Sequence, residues 1–117
     1  MAGTRRASHT AAMPWYPVMA ADAVLDDAMV AVKANGRDIA VARVAGELHA
    51  FDNICTHQHT LLSKGLLVDG CIECPVHGGR FDLLTGRPVA PPVMVPLRRY
   101  PVKLSDGQVL VDLPESR

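Results

Sequence analysis

The sequence predicts a small all-β domain built from short antiparallel strands. Two apolar runs are followed by dipeptides that tolerate positive φ and favour tight hairpin turns, Asn35-Gly36 and Asp69-Gly70. Nine glycines and nine prolines in 117 residues suit short strands joined by turns better than a helical bundle. No segment is convincing as a long helix, and the length is enough for one domain with one modest core.

Apolar runs that alternate with turns predict four strands in the first half of the chain. Residues 20–28 are expected to form a helical turn or a loop, and the adjacent Asp26 and Asp27 favour a loop. The turn Asn35-Gly36 joins two strands, and Ala45-Gly46 turns the chain into the next one. The predicted strands in this half are 15–18, 29–32, 39–44 and 48–51.

The second half contains a proline-rich segment between two pairs of strands. Residues 88–96 are expected to run as a loop or a sheet edge, because proline cannot donate to a strand ladder. Residues 1–13 are polar and rich in small side chains, and are predicted to be disordered. The ordered domain is then 14–117. The predicted strands of this half are 66–68, 71–73, 99–104 and 109–113.

Charge and hydropathy exclude two classes of partner. Twelve basic and twelve acidic residues give a formal net charge of zero, so there is no basic face for a nucleic acid. No apolar run approaches the roughly 20 residues that span a bilayer. Arg5-Arg6 could belong to a twin-arginine export signal, but Pro14 and Pro17 interrupt the stretch that follows. A polar tail is the preferred interpretation.

The cysteine count predicts a reducing compartment. Three cysteines are an odd number and argue against a disulfide scaffold. We therefore expect a cytoplasmic protein whose thiols are available to bind metal.

Two short segments carry the candidate metal ligands. Cys55-Thr56-His57 is followed, sixteen residues later, by Cys74-Pro75-Val76-His77. Each offers one thiolate and one imidazole within three residues of each other. Two such pairs on loops flanked by Gly and Pro would fill a hydrophobic core poorly, so we interpret them as a binding site.

Two metal centres suit this set of donors. Tetrahedral zinc is the simplest on ligand type alone. However, common zinc motifs pair Cys with Cys and His with His, whereas both segments here are mixed. Mixed pairs suit a two-iron cluster, in which two imidazoles replace two thiolates on one iron.

The two segments resemble the paired boxes of Rieske [2Fe–2S] proteins. The resemblance covers residues 14–113. Besides the two boxes, it includes Leu62-Ser63-x-Gly65, Ile72-Glu73, Gly79-Arg80-Phe81-Asp82, Thr85-Gly86, Leu97, Tyr100-Pro101-Val102 and Gly107-x-Val109.

The resemblance implies one Rieske-type [2Fe–2S] cluster held by four residues of this chain. Cys55 and Cys74 would bind the inner iron, and His57 and His77 the outer, solvent-facing iron. It also implies a Rieske-type antiparallel β-sandwich with a rubredoxin-like cluster-binding hairpin subdomain, at about 53–85.

Departures from one branch of the family suggest which kind of Rieske protein this is. Rieske proteins of cytochrome complexes have an extra cysteine in each box, where this chain has Thr60 and Val76. They also place Ser and Tyr hydroxyls near the cluster, where this chain has Gly79 and Phe81. Without those donors we expect a potential near the low end of the Rieske range, about −150 mV.

These features are similar to the ferredoxins of bacterial aromatic-ring-hydroxylating dioxygenase systems. The resemblance implies a monomeric electron carrier, not an enzyme, with no catalytic residues. It would pass single electrons from an NAD(P)H-dependent flavin reductase to a terminal Rieske non-haem iron oxygenase during aromatic compound degradation. The alternatives are a Rieske small subunit of a larger reductase, of the nitrite-reductase type, and a zinc-binding interaction module.

The remaining cysteine and histidines receive structural interpretations. Cys71 is predicted to be a small strand residue, because Cys74 is assigned to the cluster. His59 is predicted to be a surface residue near the cluster. His49 and His9 carry no functional signal in the sequence.

Overall fold

The fold of the chain consists of short strands and tight turns. The computed structural model describes residues 15–57, 59–76 and 78–114; the predicted tail 1–13 lies outside them. The described residues contain no α-helix, and their helical segments are two 3₁₀ turns, Ala21–Ala23 and Leu62–Lys64. The strands are β1 Trp15–Ala20, β2 Ala28–Ala34, β3 Arg37–Val44, β4 Glu47–Asp52, β5 Leu66–Val68, β6 Cys71–Glu73, β7 Arg80–Asp82, β8 Pro88–Ala90, β9 Arg99–Tyr100, β10 Val102–Ser105 and β11 Gln108–Asp112.

The strands form three antiparallel sheets, which confirms the all-β prediction. The sheet orders are β1-β11-β10, β2-β3-β4-β9 and β5-β6-β7-β8. The third sheet follows the first candidate ligand loop and carries the second. Among the described residues, no helix is long and apolar enough to cross a bilayer.

Strand β3 is buried on both faces because its sheet is covered on both sides. Ile39 and Val41 point into a core that includes residues of β11. Ala40 and Ala42, on the opposite face, contact a second core that includes residues of β6 and β7. Since successive side chains of a strand point to opposite faces, one strand serves both cores. The sheet β2-β3-β4-β9 is therefore the middle layer, and it supports the sheet that carries the candidate ligands.

Both predicted hairpin turns are confirmed. Asn35 and Gly36 have φ of 51° and 75°, and the flanking Ala34 and Arg37 pair directly. Asp69 and Gly70 have φ of 50° and 76° and join β5 to β6. Two successive residues with positive φ match the twist of the strands on either side.

The predicted strand 99–104 is wrong as a single element. It is two strands, β9 and β10, which belong to different sheets: β9 pairs with β4, and β10 with β11. Pro101 separates them because it has no N–H to donate. Its carbonyl still accepts a hydrogen bond from the N–H of Asp112, at 3.0 Å. The chain thus crosses between sheets at a residue that cannot continue a ladder.

Two other segments match the conformations predicted from the sequence in part. Residues 20–28 contain one 3₁₀ turn followed by a loop, and the Arg43 guanidinium donates to the carbonyls of Ala21 and Val24 at 2.7 and 2.8 Å. The proline-rich segment is a short edge strand, Pro88–Ala90, followed by a loop with a cis Pro91-Pro92 bond. Strand β7 was not among the strands predicted from the sequence.

Candidate metal centre

The two predicted cysteine ligands lie in short loops that close in the same way. The N–H of Cys55 donates to the carbonyl of Thr60 at 2.9 Å. The N–H of Cys74 donates to the carbonyl of Gly79 at 2.7 Å. In each case the bond joins the cysteine to the residue five positions later, so each loop folds back over its own cysteine.

The two thiols meet inside the protein. Cys55 and Cys74 are 3% and 2% exposed and belong to one buried cluster. Their side chains lie within hydrogen-bonding distance, and no disulfide joins them. Burial raises the pKa of the Cys74 thiol and the neighbouring Cys55 adds to the rise, whereas the backbone N–H of Val76 opposes it. Two adjacent thiols, 19 positions apart in the chain, are suitable donors for a soft metal.

Of the two predicted histidine ligands, the structure describes one. His57 is exposed, two residues from the buried Cys55, so this loop directs a thiol inward and leaves an imidazole at the surface. His59 is exposed, as predicted, and His77 lies outside the described residues. The described part of the chain does not gather three Cys, His, Asp or Glu side chains around one point.

A buried asparagine closes the base of the first loop. Asn53 is 2% exposed, and its side chain exchanges two hydrogen bonds with Ser63. The backbone carbonyl of Asn53 accepts a third hydrogen bond, from the N–H of Leu62, at 2.8 Å. No sequence signal identifies this residue, because an Asn at the end of a strand carries no local mark of a partner ten positions away.

The second loop is held by close backbone packing. A Cβ on Gly65 would lie 1.9 Å from the carbonyl oxygen of Glu73 and 3.1 Å from Cδ of Pro75. The Glu73 carboxylate in turn accepts a hydrogen bond from the Arg80 guanidinium at 2.8 Å, across the strands on either side of the loop. The glycine is therefore required for the chain to pass beside the strand that leads to Cys74.

A third segment, residues 91–97, packs against both loops. The Thr56 hydroxyl donates to the carbonyl of Val95 at 2.8 Å. A Cβ on Gly79 would lie 2.6 Å from Cγ1 of Val93, so this glycine allows the segment to approach the second loop. Val93 is buried in the same cluster as Cys55 and Cys74.

Cys71 and His49, which are not among the predicted ligands, lie in two different environments. Cys71 is half-buried on β6 and lines a cavity of about 90 Å³ beside Leu67 and Leu83. His49 is buried in β4, and its Nδ1 lies 3.1 Å from a guanidinium nitrogen of Arg99. Burial and the neighbouring Arg99 lower the pKa of His49, and the Glu47 carboxylate opposes this shift.

The described donors fit a cluster of two irons and two sulfides. Two contacting buried thiols, free of a disulfide, would be suitable soft ligands for one iron. The backbone N–H of Val76 bonds to the sulfur of Cys74, and hydrogen bonds to sulfur help set the reduction potential of iron–sulfur clusters. An exposed imidazole on the same loop is suited to an outer iron.

Comparison with known proteins agrees with this fit. Residues 14–101 match the model of the Rieske [2Fe-2S] domain. The chain is 42% identical to the anthranilate 1,2-dioxygenase ferredoxin subunit of Burkholderia cepacia, over 85% of this chain and 92% of that protein. It is 38% identical to the ferredoxin component of the naphthalene 1,2-dioxygenase system of Pseudomonas putida, over 85% and 95%.

Solved structures give the same picture. The ferredoxin of Sphingomonas yanoikuyae B1 superimposes with a TM-score of 0.81 at 38% identity, covering 86% of this chain and all of that one. A chain from the complex of reduced oxygenase and oxidized ferredoxin in carbazole 1,9a-dioxygenase also has a TM-score of 0.81, at 35% identity, covering 90% and 98%. The carbazole 1,9a-dioxygenase terminal oxygenase of Nocardioides aromaticivorans IC177 is less similar, at 27% identity and a TM-score of 0.78, with 91% of this chain matching 32% of that one.

Proposed function

Because the chain belongs to the Rieske [2Fe–2S] domain family, we propose that it is an electron-carrying ferredoxin of an aromatic-ring dioxygenase system. It accepts single electrons from an NAD(P)H-dependent flavin reductase and delivers them to a terminal Rieske non-haem iron oxygenase. The observation that carries this proposal is the 42% identity to a dioxygenase ferredoxin subunit, against 27% to a terminal oxygenase.

The proposed ligands divide between the interior and the surface. Cys55 and Cys74 hold the inner iron, where both side chains are buried. His57 and His77 hold the outer iron, and the exposure of His57 supports that assignment. When bound, the [2Fe–2S] cluster supplies reversible one-electron transfer and no bond-making chemistry.

The protein contribution to electron transfer is positional. The buried thiols and the closed loops keep the inner ligands away from water and limit rearrangement of the ligands between redox states. The exposed imidazole loop shortens the distance to a docked partner. The protein itself converts no substrate.

The reduction potential is proposed to lie at the low end of the Rieske range. Gly79 has no side chain to donate a hydrogen bond, and Phe81 is fully buried with no hydroxyl. Fewer donors to cluster sulfur leave the more negative reduced state less stable.

We further propose that the carrier is a cytoplasmic monomer without affinity for membranes or nucleic acids. Three unpaired thiols are compatible with a reducing compartment. A formal net charge of zero gives no electrostatic attraction to phosphate backbones.

The test is reconstitution. The purified protein is expected to contain two irons and two acid-labile sulfides per chain, with a low-temperature electron paramagnetic resonance signal after reduction. Added to a ferredoxin reductase, NADH and the oxygenase component of the anthranilate 1,2-dioxygenase system, it should support product formation that stops when it is omitted. A colourless protein with stoichiometric zinc would contradict the proposal.

A further inference from the structure

The loop that follows β8 presents an exposed methionine between its contacts with the two candidate ligand loops. Val93 is buried against Gly79 of the second loop, and the carbonyl of Val95 accepts the hydrogen bond from Thr56 of the first loop. Met94 lies between these two contacts and is 82% exposed, the highest value among the large apolar side chains of the described residues. Val95 beside it is 57% exposed.

The segment that carries Met94 and the two segments that carry the candidate ligands contain no formally charged residue. None of the chain's twelve basic and twelve acidic residues falls within the two ligand-bearing segments, 53–63 and 74–79, or within the proline-rich segment 88–97. Charged residues flank the three segments, for example Lys64 after the first and Arg98 after the third. Of these neighbours, Glu73 and Arg80 neutralise each other in an ion pair.

We propose that Met94, with Val95 beside it, is the apolar anchor through which the terminal oxygenase binds, and that this binding does not depend on charge. The inference rests on the proposed function, because a partner that exchanges electrons with the cluster must cover the loops that hold it. The oxygenase face that fits is apolar and uncharged around a shallow recess for one methionine side chain.

The physical properties of a methionine side chain suit this role. Its unbranched, polarisable side chain adapts to a partner surface and leaves readily, which suits a complex that must dissociate after each electron. Burying such a side chain is worth about 1.5–3 kcal/mol, or roughly ten- to a hundredfold in affinity. Without opposed charges, association is not steered, so ionic strength has little effect on its rate.

The oxygenase is the preferred occupant over the reductase or a second copy of this chain. A ferredoxin with a TM-score of 0.81 to this chain forms a solved complex with its oxygenase. A protein of this fold therefore forms a defined complex with an oxygenase.

The experiment compares three variants of the holoprotein. Met94→Glu places a charge in the proposed contact, and Met94→Leu keeps an apolar side chain of similar size. Leu104→Glu is the matched control, because Leu104 is 52% exposed on β10, in the sheet that carries none of the candidate ligands. Stopped-flow absorbance measures electron transfer from each reduced protein to the oxygenase components of the anthranilate and carbazole systems, at 50 and 500 mM NaCl.

Met94→Glu should lower the second-order rate constant at least tenfold, with an unchanged cluster spectrum and potential. Met94→Leu and Leu104→Glu should stay within about twofold of the wild type, and salt should change the wild-type rate less than threefold. The inference is overturned if Met94→Glu transfers electrons normally or if salt slows the wild type tenfold. It is also overturned if Met94→Glu slows only reduction by the reductase, followed by the same absorbance change, or dissociates a wild-type dimer seen by size-exclusion chromatography.

The experiment distinguishes a wrong docking residue from a wrong proposed function. If wild-type protein reduces an oxygenase but the Met94 variants do not differ, only the inference is wrong. If wild-type protein reduces neither oxygenase, the proposed function is contradicted and the inference falls with it.

Discussion

The side chain of Asn53 forms one hydrogen bond with the hydroxyl of Ser63 and one with its backbone N–H, and these two bonds close the first ligand loop. The Asn53 amide nitrogen Nδ2 donates to Oγ of Ser63 at 3.0 Å, and Oδ1 accepts from the Ser63 N–H at 2.7 Å. The residues between them include Cys55 and His57. One buried amide thus sets the distance between the two ends of the loop.

Replacing Asn53 by Ala is expected to destabilise the holoprotein by about 1–3 kcal/mol, because the partly buried Ser63 N–H loses its acceptor. Cluster loss in the presence of a chelator, followed by visible absorbance, should be several times faster than in the wild type. Ser63→Ala is the matched control, since it keeps the backbone N–H and removes only the hydroxyl. A cluster lifetime in Asn53→Ala equal to that of the wild type would show that the asparagine does not hold the loop.

Single substitutions should separate the four proposed ligands from the third cysteine. Alanine at Cys55, His57, Cys74 or His77 should prevent cluster assembly, measured as iron and sulfide per chain, and the apoprotein should be less stable because metal binding couples to folding. Cys71→Ser should keep the full cluster, because Cys71 lies on β6 beside a small cavity. Loss of the cluster in that variant would mean that a ligand is misassigned.

Gly65→Ala should lower the free energy of unfolding more than Gly70→Ala, the same change in the turn between β5 and β6. Its Cβ would meet the backbone oxygen of Glu73 at 1.9 Å, which a small side-chain shift cannot relieve. We expect a loss of about 3 kcal/mol in urea unfolding of the holoprotein. Gly70→Ala is the comparison: it has a φ of +76° but open space, so the loss should be about 1 kcal/mol. Similar losses would argue against the close approach.

Phe81→Tyr should raise the reduction potential, because Phe81 is buried in the same cluster as Cys55 and Cys74 and the new hydroxyl adds a hydrogen-bond donor there. A hydrogen bond stronger by about 1.4 kcal/mol in the reduced state corresponds to about 60 mV for one electron. Potentiometry of both proteins measures it. Gly79→Ser is less suitable, because its Cβ would lie 2.6 Å from Cγ1 of Val93 and displace the proline-rich loop. An unchanged or lower potential in Phe81→Tyr would refute the argument from missing donors.

Tyr100 should make folding stability fall at alkaline pH. Burial and the neighbouring Asp52 carboxylate, which accepts the Tyr100 hydroxyl hydrogen bond, raise the pKa of Tyr100 from 10 to about 12. The folded state therefore holds the proton more tightly than the unfolded state. The resulting stability is complete below pH 10 and is lost as the pH rises through 12.

Urea unfolding between pH 9 and 12 measures this loss. In Tyr100→Phe the decline over that range should be shallower, although its stability at pH 8 should be lower because the bond to Asp52 is gone. Parallel pH profiles for the two proteins would exclude Tyr100 as the cause.

Local chemistry explains why much of this molecule was predictable from sequence. The hairpins at Asn35-Gly36 and Asp69-Gly70 follow from residues that tolerate positive φ, whatever surrounds them. The thiol and imidazole of each mixed segment lie within three residues of one another, so their shared chemistry could be recognised without a fold. The sequence by itself therefore determined the all-β class, both turns and the family to which the chain belongs.

Only the tertiary structure decided which distant groups meet. The split of 99–104 between two sheets depends on the partners of β9 and β10, and no local pattern names them. Asn53 meets Ser63 ten positions away, and Thr56 meets Val95 thirty-nine positions away. Such contacts arise when separately formed hairpins pack, because their free energy depends on shape and burial across sheets rather than on neighbours in the chain. The position of Met94 beside both ligand loops likewise depends on packing between distant segments of the chain.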